Sequence, residues 1–175
     1  MRSLPNAKSH GRRRRSLLAV VGLALLFGGC LLSTKHPADA ELLKNFQTHQ
    51  VEFEQLLKMF LADKELGRVA PDFTRPDDPR TVGVSPERLG EYRSLFKTLG
   101  LSNGIEGYKE KDLVYFHSSA QGLAVSGSGK GYAFAVIRPA LVVDNLDNYR
   151  SRDSRSFTAF RHIEGNWYLY LDFED

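Results

Sequence analysis

The first thirty residues constrain what this chain can fold into, because they remove themselves from any soluble core. Arg12-Arg13-Arg14-Arg15 leads into an apolar run that begins at Leu17 and passes through Phe27-Gly28-Gly29-Cys30 to Leu32. Four adjacent arginines cannot be shielded inside a small domain, since each buried charge needs a partner. The run Leu17–Leu32 would make a helix of roughly 24 Å, short of a ~30 Å hydrocarbon core. A cationic segment, a short apolar segment and small residues before a cut site make an export signal. Residues 1–29 therefore read as a signal peptide, residues 30–37 as a tether and residues 38–175 as a single folded domain.

The order Phe27-Gly28-Gly29-Cys30 resembles the export signal of a bacterial lipoprotein, in which the two residues ahead of the modified cysteine are small. That resemblance implies cleavage before Cys30, a covalent diacylglycerol and an N-acyl lipid on it, and no further cofactor. It also implies a lipid bilayer as the N-terminal partner, with the domain in the cell envelope facing the periplasm or the outside. Leu31 replaces the Asp that retains enteric lipoproteins at the inner membrane, which leans outward. An uncleaved single-span anchor is the alternative; either way the arginines stay in the cytoplasm and the chain after Leu32 is delivered beyond it. Past its leader the chain resembles small envelope lipoproteins.

Charge belongs mostly to the leader. The chain is +3 overall, but six of its 24 Lys and Arg and none of its 21 acids precede Cys30. The remainder holds 18 basic against 21 acidic residues, a net −3. Nucleic-acid binding needs a cationic face that displaces counterions, so it is disfavoured. With one cysteine no internal disulfide can form. If Cys30 carries lipid, no thiol is left for zinc or nucleophilic work, and packing alone must stabilise about 140 residues.

Two patterns then succeed each other. Apolar residues at Leu42, Leu43, Phe46, Phe53, Leu56, Leu57, Phe60 and Leu61 predict a long amphipathic helix from Pro37 to near Gly67, interrupted in its stripe by His49-Gln50. Residues 68–84, with three prolines, read as an irregular connection suited to contacting a partner. Ser85, Pro86 and Gly100 punctuate a second helix carrying Leu89, Tyr92, Phe96 and Leu99. From Gly104 the chain turns to short β-rich runs: 105–108, 113–118, 123–126, 132–137, an edge piece at 141–143, 157–163 and 167–173. Glu164-Gly165-Asn166 predicts a hairpin between the last two. Trp167, Leu169, Leu171 and Phe173 fall on one face of the final strand; Tyr168, Tyr170 and Asp172 fall on the other. The expected fold is α+β, two N-terminal helices packed on an antiparallel meander of five or six strands. This order of elements resembles the helix-on-curved-sheet arrangement of cystatin-like and NTF2-like domains, which implies no particular role.

No chemical motif is complete. Ser126-Gly127-Ser128-Gly129-Lys130-Gly131 lacks the first glycine and the Ser or Thr of a phosphate loop, and a β-type run follows it. It reads as a flexible hairpin connection whose Ser126, Ser128 and Lys130 could meet a small anion. Neither a Ser-x-x-Lys spacing nor a nucleophile elbow is present. The histidines show no metal-ligand spacing, although His117 and His162 fall in strands and are expected to neighbour each other. Asp144-Asn145-Leu146-Asp147-Asn148 reads as a turn rather than a calcium loop, with Arg150, Arg152 and Arg155 as a basic rim.

The expectation is a non-enzymatic, membrane-anchored module that binds or inhibits an envelope protein or polymer. Its candidate binding residues are Ser126, Ser128, Lys130, His117, His162, Tyr168 and Tyr170. A periplasmic hydrolase of an envelope polymer, using carboxylates such as Glu106, Glu110 or Asp112, is one alternative. An immunity lipoprotein directed against a secreted toxin is another.

Overall fold

The structure, a computed structural model, describes residues 36–107, 112–123, 126–151 and 155–175. Cys30 and the leader, Glu110 and Arg152 lie outside the described residues, as does the side chain of Ser126. The described residues fall in one unit. Among them no helix is long and apolar enough to cross a membrane.

The fold is α+β, with three helices against a seven-stranded sheet. Helix α1 spans Asp39–Thr48 and α2 spans Gln50–Ala62, so the single long helix expected from the stripe is two. The break is at His49, whose φ of −121° and ψ of 29° leave helical space; its N–H is shared between Asn45 O and Phe46 O. The apolar stripe survives the break because Phe46 and Phe53, seven residues apart, meet at 5.2 Å with their rings tilted by 37°. Leu61, assigned to the stripe, is 37% exposed, and α2 stops well before Gly67. Pro37 precedes the cap residue Ala38 rather than opening the helix; the Ala38 N–H donates to the Glu41 carboxylate at 3.1 Å.

The 68–84 segment is not the irregular connection expected. Strands β1 (Arg68–Val69) and β2 (Thr74–Arg75) pair antiparallel and extend the sheet, and a 3₁₀ turn at Pro79–Val82 follows, capped by Asp78. Helix α3 spans Pro86–Leu99 with the punctuation expected of it: Ser85 Oγ accepts from the Arg88 N–H at 3.2 Å and Gly100 sits at φ 67°. It buries Tyr92, Leu95, Phe96 and Leu99, while Leu89 stays half-buried. Because α3 follows two strands, the helices are not grouped at the N-terminus.

Strands β3 (Gly104–Gly107), β4 (Leu113–Leu123), β5 (Ser126–Ala135), β6 (Phe157–Glu164) and β7 (Trp167–Glu174) complete the sheet in the order β2-β1-β3-β4-β5-β7-β6. Seven strands replace the five or six expected. The two extra ones were hidden because each is only two residues long, too short for any periodicity to show. The glycine-rich run 126–131 belongs to β5 rather than to a flexible connection, and the expected strand 123–126 is divided, since Leu123 ends β4 and Ser126 opens β5 opposite it. The edge piece at 141–143 appears as a single parallel bridge from Val142 to Phe160.

Packing follows the alternation of strands. Leu42, Phe46, Phe53, Phe60 and Phe96 meet Val114, Phe116, Tyr132, Trp167 and Leu169 in the main core between helices and sheet. Each such side chain contributes roughly 1.5–3 kcal/mol on burial. Polar ties fix the orientation: Tyr132 OH receives the Asn45 amide at 2.9 Å and donates to Leu42 O, and Trp167 Nε1 donates to Glu54 at 2.7 Å. Tyr168, Tyr170, Phe160 and Ala133 form a smaller cluster on the opposite face, with Tyr115 and Val142 against it. A β-bulge between His117 and Ser119 changes the phase of β4, so Ser119 pairs with Lys130 and turns toward the helices.

Gly104 sits where β1 crosses β3. Its φ is 77°, and a Cβ there would lie 2.0 Å from Val69 O. Gly104→Ala combines backbone strain with a clash against fixed main chain and is expected to cost about 2–4 kcal/mol. Gly90→Ala, in an exposed helical position with open space around it, is expected to gain about 0.5–1 kcal/mol. Urea unfolding of the two variants, read as opposite shifts in midpoint at constant slope, checks both.

Candidate functional site

Among the described residues the sheet carries two polar clusters and a cleft, and the alternation of strands determines which face each takes. On the helix side, β5 presents Ser128, Lys130 and Tyr132 in succession. Lys130 is 2% exposed and Asp39, at the start of α1, 1%. The Lys130 ammonium lies 2.7 Å from Asp39 Oδ1 and 2.6 Å from Asp147 Oδ1. Arg161 on β6 reaches Asp39 Oδ2 at 2.9 Å, and the Leu146 N–H donates to the same oxygen at 2.8 Å. The Asp39 N–H in turn donates to the Asp147 carboxylate at 3.0 Å. Burial alone would raise the Asp39 pKa, but Lys130, the Leu146 N–H and Arg161 outweigh it and hold the carboxyl below its ordinary value. The ammonium of Lys130, expected to meet an anion from solution, is thus engaged by two carboxylates of its own chain.

Beside this cluster stands His36. Its Nδ1 is 2.7 Å from Ser119 Oγ and its Nε2 2.8 Å from Ser128 Oγ. Burial and the nearby Lys130 charge both lower its pKa.

The opposite face carries a row of registered residues: Arg75, Arg68, Glu106, Tyr115, Ala133, Tyr168 and His162. The next row brings Gly104, His117, Gly131, Tyr170 and Phe160 together. Glu106 sits 2.8 Å from Arg68 Nη1, 3.7 Å from Arg75 Nη1 and 3.3 Å from His117 Nε2. His117 Nδ1 lies 2.6 Å from the Tyr170 hydroxyl. Burial, with the Asp172, Tyr115 and Glu106 charges behind it, raises the Tyr170 pKa far above that of a free phenol. The phenol therefore keeps its proton and shares a hydrogen bond with Nδ1, while Nε2 faces Glu106. His117, the Arg68 charge and the Arg75 charge hold the Glu106 pKa down against its burial. With Tyr170 sealed from solvent, this line of groups stitches β1, β3, β4 and β7 together and orients Tyr115, whose ring meets that of Tyr170 edge-on at 4.8 Å.

Next to Tyr115 a cleft of about 440 Å³ opens between the sheet and residues 137–141. Leu113, Tyr115, Ala135, Leu141 and Phe160 give it an apolar lining, while Asp112, Arg138 and Thr158 supply polar groups. Val136 and Ile137 beside it are 55% and 73% exposed. Asp112 and Arg138 form no ion pair among the described residues. An apolar floor with a few polar groups at its margin is the general form of a ligand site.

The structure divides the residues singled out from sequence. His117, Tyr168 and Tyr170 share the face that carries the cleft, whereas Ser128 and Lys130 lie on the other. His117 and His162 are not neighbours: β5 and β7 stand between their strands, and His162 Nε2 instead contacts Gly165 O at 3.0 Å. The 144–148 segment makes the expected turn, through the Asn148 N–H to Asn145 Oδ1 at 3.2 Å, but it also delivers Asp147 to Lys130. Arg155 approaches Asp175, and Arg150 donates to Tyr149 O. Glu106 is engaged by its cations, and Asp112 stands at the cleft. His36, Ser119, Asp39, Arg161 and Arg68 escaped the sequence reading. Period-two spacing of Ser128, Lys130 and Tyr132 was the available signal, since it places a lysine in line with core aromatics. Among the described residues no group of three or more His, Cys, Asp or Glu could hold a metal ion. No protein-family model, curated protein or solved structure matches the chain.

Two measurements follow from these groups. Asp39→Asn leaves Lys130 and Arg161 undercompensated in a buried site and is expected to cost about 3–5 kcal/mol. The stabilisation that Asp39 contributes is present above the unfolded carboxyl value near pH ~4 and lost as pH falls through the lower folded value. Acid unfolding of wild type and variant should therefore converge, which denaturant titrations at pH 7 and pH 3 check. At the alkaline end, Tyr132 is pushed up to about 12, mainly by burial, and Tyr92 and Tyr170 further still. Their stabilisation is complete below the free phenol value near ~10 and declines as pH rises through the folded values. Absorbance at 295 nm should leave these three un-ionised at pH 11 in the folded protein, and one fewer in Tyr170→Phe.

Proposed function

We propose that this chain is a membrane-anchored lipoprotein of the cell envelope whose exported domain is a binding module. The observation that carries the binding half is the cleft beside Tyr115, with its apolar lining and two charges, Asp112 and Arg138, that form no ion pair among the described residues. The anchoring half rests on the arginine cluster, the apolar run and Gly28-Gly29-Cys30. The bilayer is then the partner of the N-terminus, and an envelope protein or polymer that of the domain. The Glu106–His117–Tyr170 line favours binding over turnover, since its carboxylate is held by cations and its phenol is closed to solvent. A rigid sheet face of this kind presents a site without reorganising, which lowers the entropic cost of association.

The test has two arms, both in intact cells. Membrane fractionation of wild type and Cys30→Ser reads anchoring: the wild type is expected in the envelope and acylated, the variant released or unprocessed. A cytosolic, unacylated wild type overturns that half. A photo-crosslinking residue at Ile137 reads binding, against the same residue at exposed Lys97 on α3 as control. Several-fold more adduct from 137, abolished by filling the cleft with Ala135→Trp, is expected. Equal labelling from both positions, together with turnover of an envelope polymer by the purified protein, would replace binding with hydrolysis. A captured toxin would specify the immunity form of the reading.

A further inference from the structure

Residues just ahead of α1 are held to the sheet by the side chain of His36, which bridges two serines. We propose that His36, gripped between Ser119 and Ser128, is an acid-sensitive latch that docks the N-terminal approach of the domain onto the β4–β5 hairpin and lets go on acidification.

Both ring nitrogens are within hydrogen-bond distance of a hydroxyl, at 2.7 Å and 2.8 Å. A neutral imidazole has one donor and one acceptor nitrogen, and serine hydroxyls rotate to serve either. The cluster thus fits the uncharged ring completely. The charged ring could also donate to both hydroxyls, but burial and the neighbouring Lys130 ammonium stand against it. β4 contributes Ser119, reached only because the bulge turns that residue toward the helices, and no charge. β5 contributes Lys130 two residues beyond Ser128. β7 places Phe173 opposite Ser128. Asp39 of α1 and Asp147 of the following turn are bound to Lys130, and Arg161 of β6 is bound to Asp39. Glu41 of α1 accepts from the Ala38 N–H. Among the described residues no carboxylate forms an ion pair with His36, and the charge that His36 feels is the lysine's.

The direction of the effect follows. Docked, His36 binds its proton less readily than in a free chain. Docking is therefore fully favoured above the ordinary histidine value near ~6.5 and weakens as pH falls through the lower docked value. Asp39 is held below its ordinary carboxyl value by Lys130, the Leu146 N–H and Arg161, so its carboxylate stays engaged through this window. Release frees the three residues from His36 to Ala38 that precede α1, about 10 Å of chain at full extension. The latch operates whether or not Cys30 carries lipid, so it stands or falls separately from the anchoring proposal.

Trypsin cleavage at the Lys35–His36 bond of the full chain in detergent reads the latch. Each rate is taken relative to a free peptide of the same local sequence at the same pH, so that the ratio tracks the open population. Between pH 7.5 and 5.5 the ratio should rise by up to about tenfold. His36→Gln, which can hydrogen-bond both serines without titrating, should give a flat ratio, and His162→Gln should keep the rise. The ring-nitrogen titration of His36 by NMR should fall below the ordinary value in wild type and return to it in Ser119→Ala/Ser128→Ala. A wild-type ratio that does not change with pH, a rise that persists in His36→Gln, or a His36 midpoint at or above the ordinary value would each overturn the latch.

Discussion

The buried ammonium of Lys130 is the constraint around which the rest of the domain is arranged. A charge removed from water has to be compensated locally, and an ion pair with one partner missing is strongly destabilising. Lys130 meets that demand with Asp39 from the first helix and Asp147 from a turn more than a hundred residues later. Arg161 on β6 then balances Asp39. The start of α1, the 144–148 turn and strands β5 and β6 are thus located relative to one another by charge. Hydrophobic burial alone would not do so, because it is indifferent to direction. The helices could slide along a greasy sheet, but not along a lysine.

Much of this architecture was legible in the chain. Helix α3 was readable from Ser85, Pro86 and Gly100 because capping is local chemistry, decided by residues adjacent in sequence. The final hairpin was readable because Trp167 to Phe173 alternate cleanly and Gly165 marks the turn. What escaped depended on partners distant in the chain. Arg68–Val69 counts as a strand only because Ile105 and Glu106 lie alongside it. The Gly-rich run 126–131 carries loop composition, yet β4 on one side and β7 on the other recruit it into the sheet. His49 interrupted the apolar stripe visibly, but no residue nearby signalled that the helix would break there rather than merely expose a turn.

The candidate site was legible in its residue types and not in its geometry. Tyr170 and His117 could be placed in strands, yet only the register of β4, β5 and β7 brings them to 2.6 Å. Glu106 was weighed as a catalytic acid from its charge alone; beside Arg68 and Arg75 it becomes a structural anion. The cleft had no sequence signature, because its lining comes from β4, β5, β6 and an irregular segment, with no two contributing a motif. The two faces of the sheet differ: one packs against the domain's own helices, and the other carries the smaller aromatic cluster and the cleft.

The extra residue at the β4 bulge has a consequence for how this protein can vary. Upstream of it, odd-numbered positions such as Tyr115 and His117 serve the cleft side; downstream, Ser119 serves the histidine clasp. One strand therefore encodes two sites in opposite phases, joined by a single inserted amino acid. A deletion at Ser118 would invert one half of that strand against the other, exchanging its wet and dry positions together. Substitution can tune either site alone, but a change in length within β4 must disturb both.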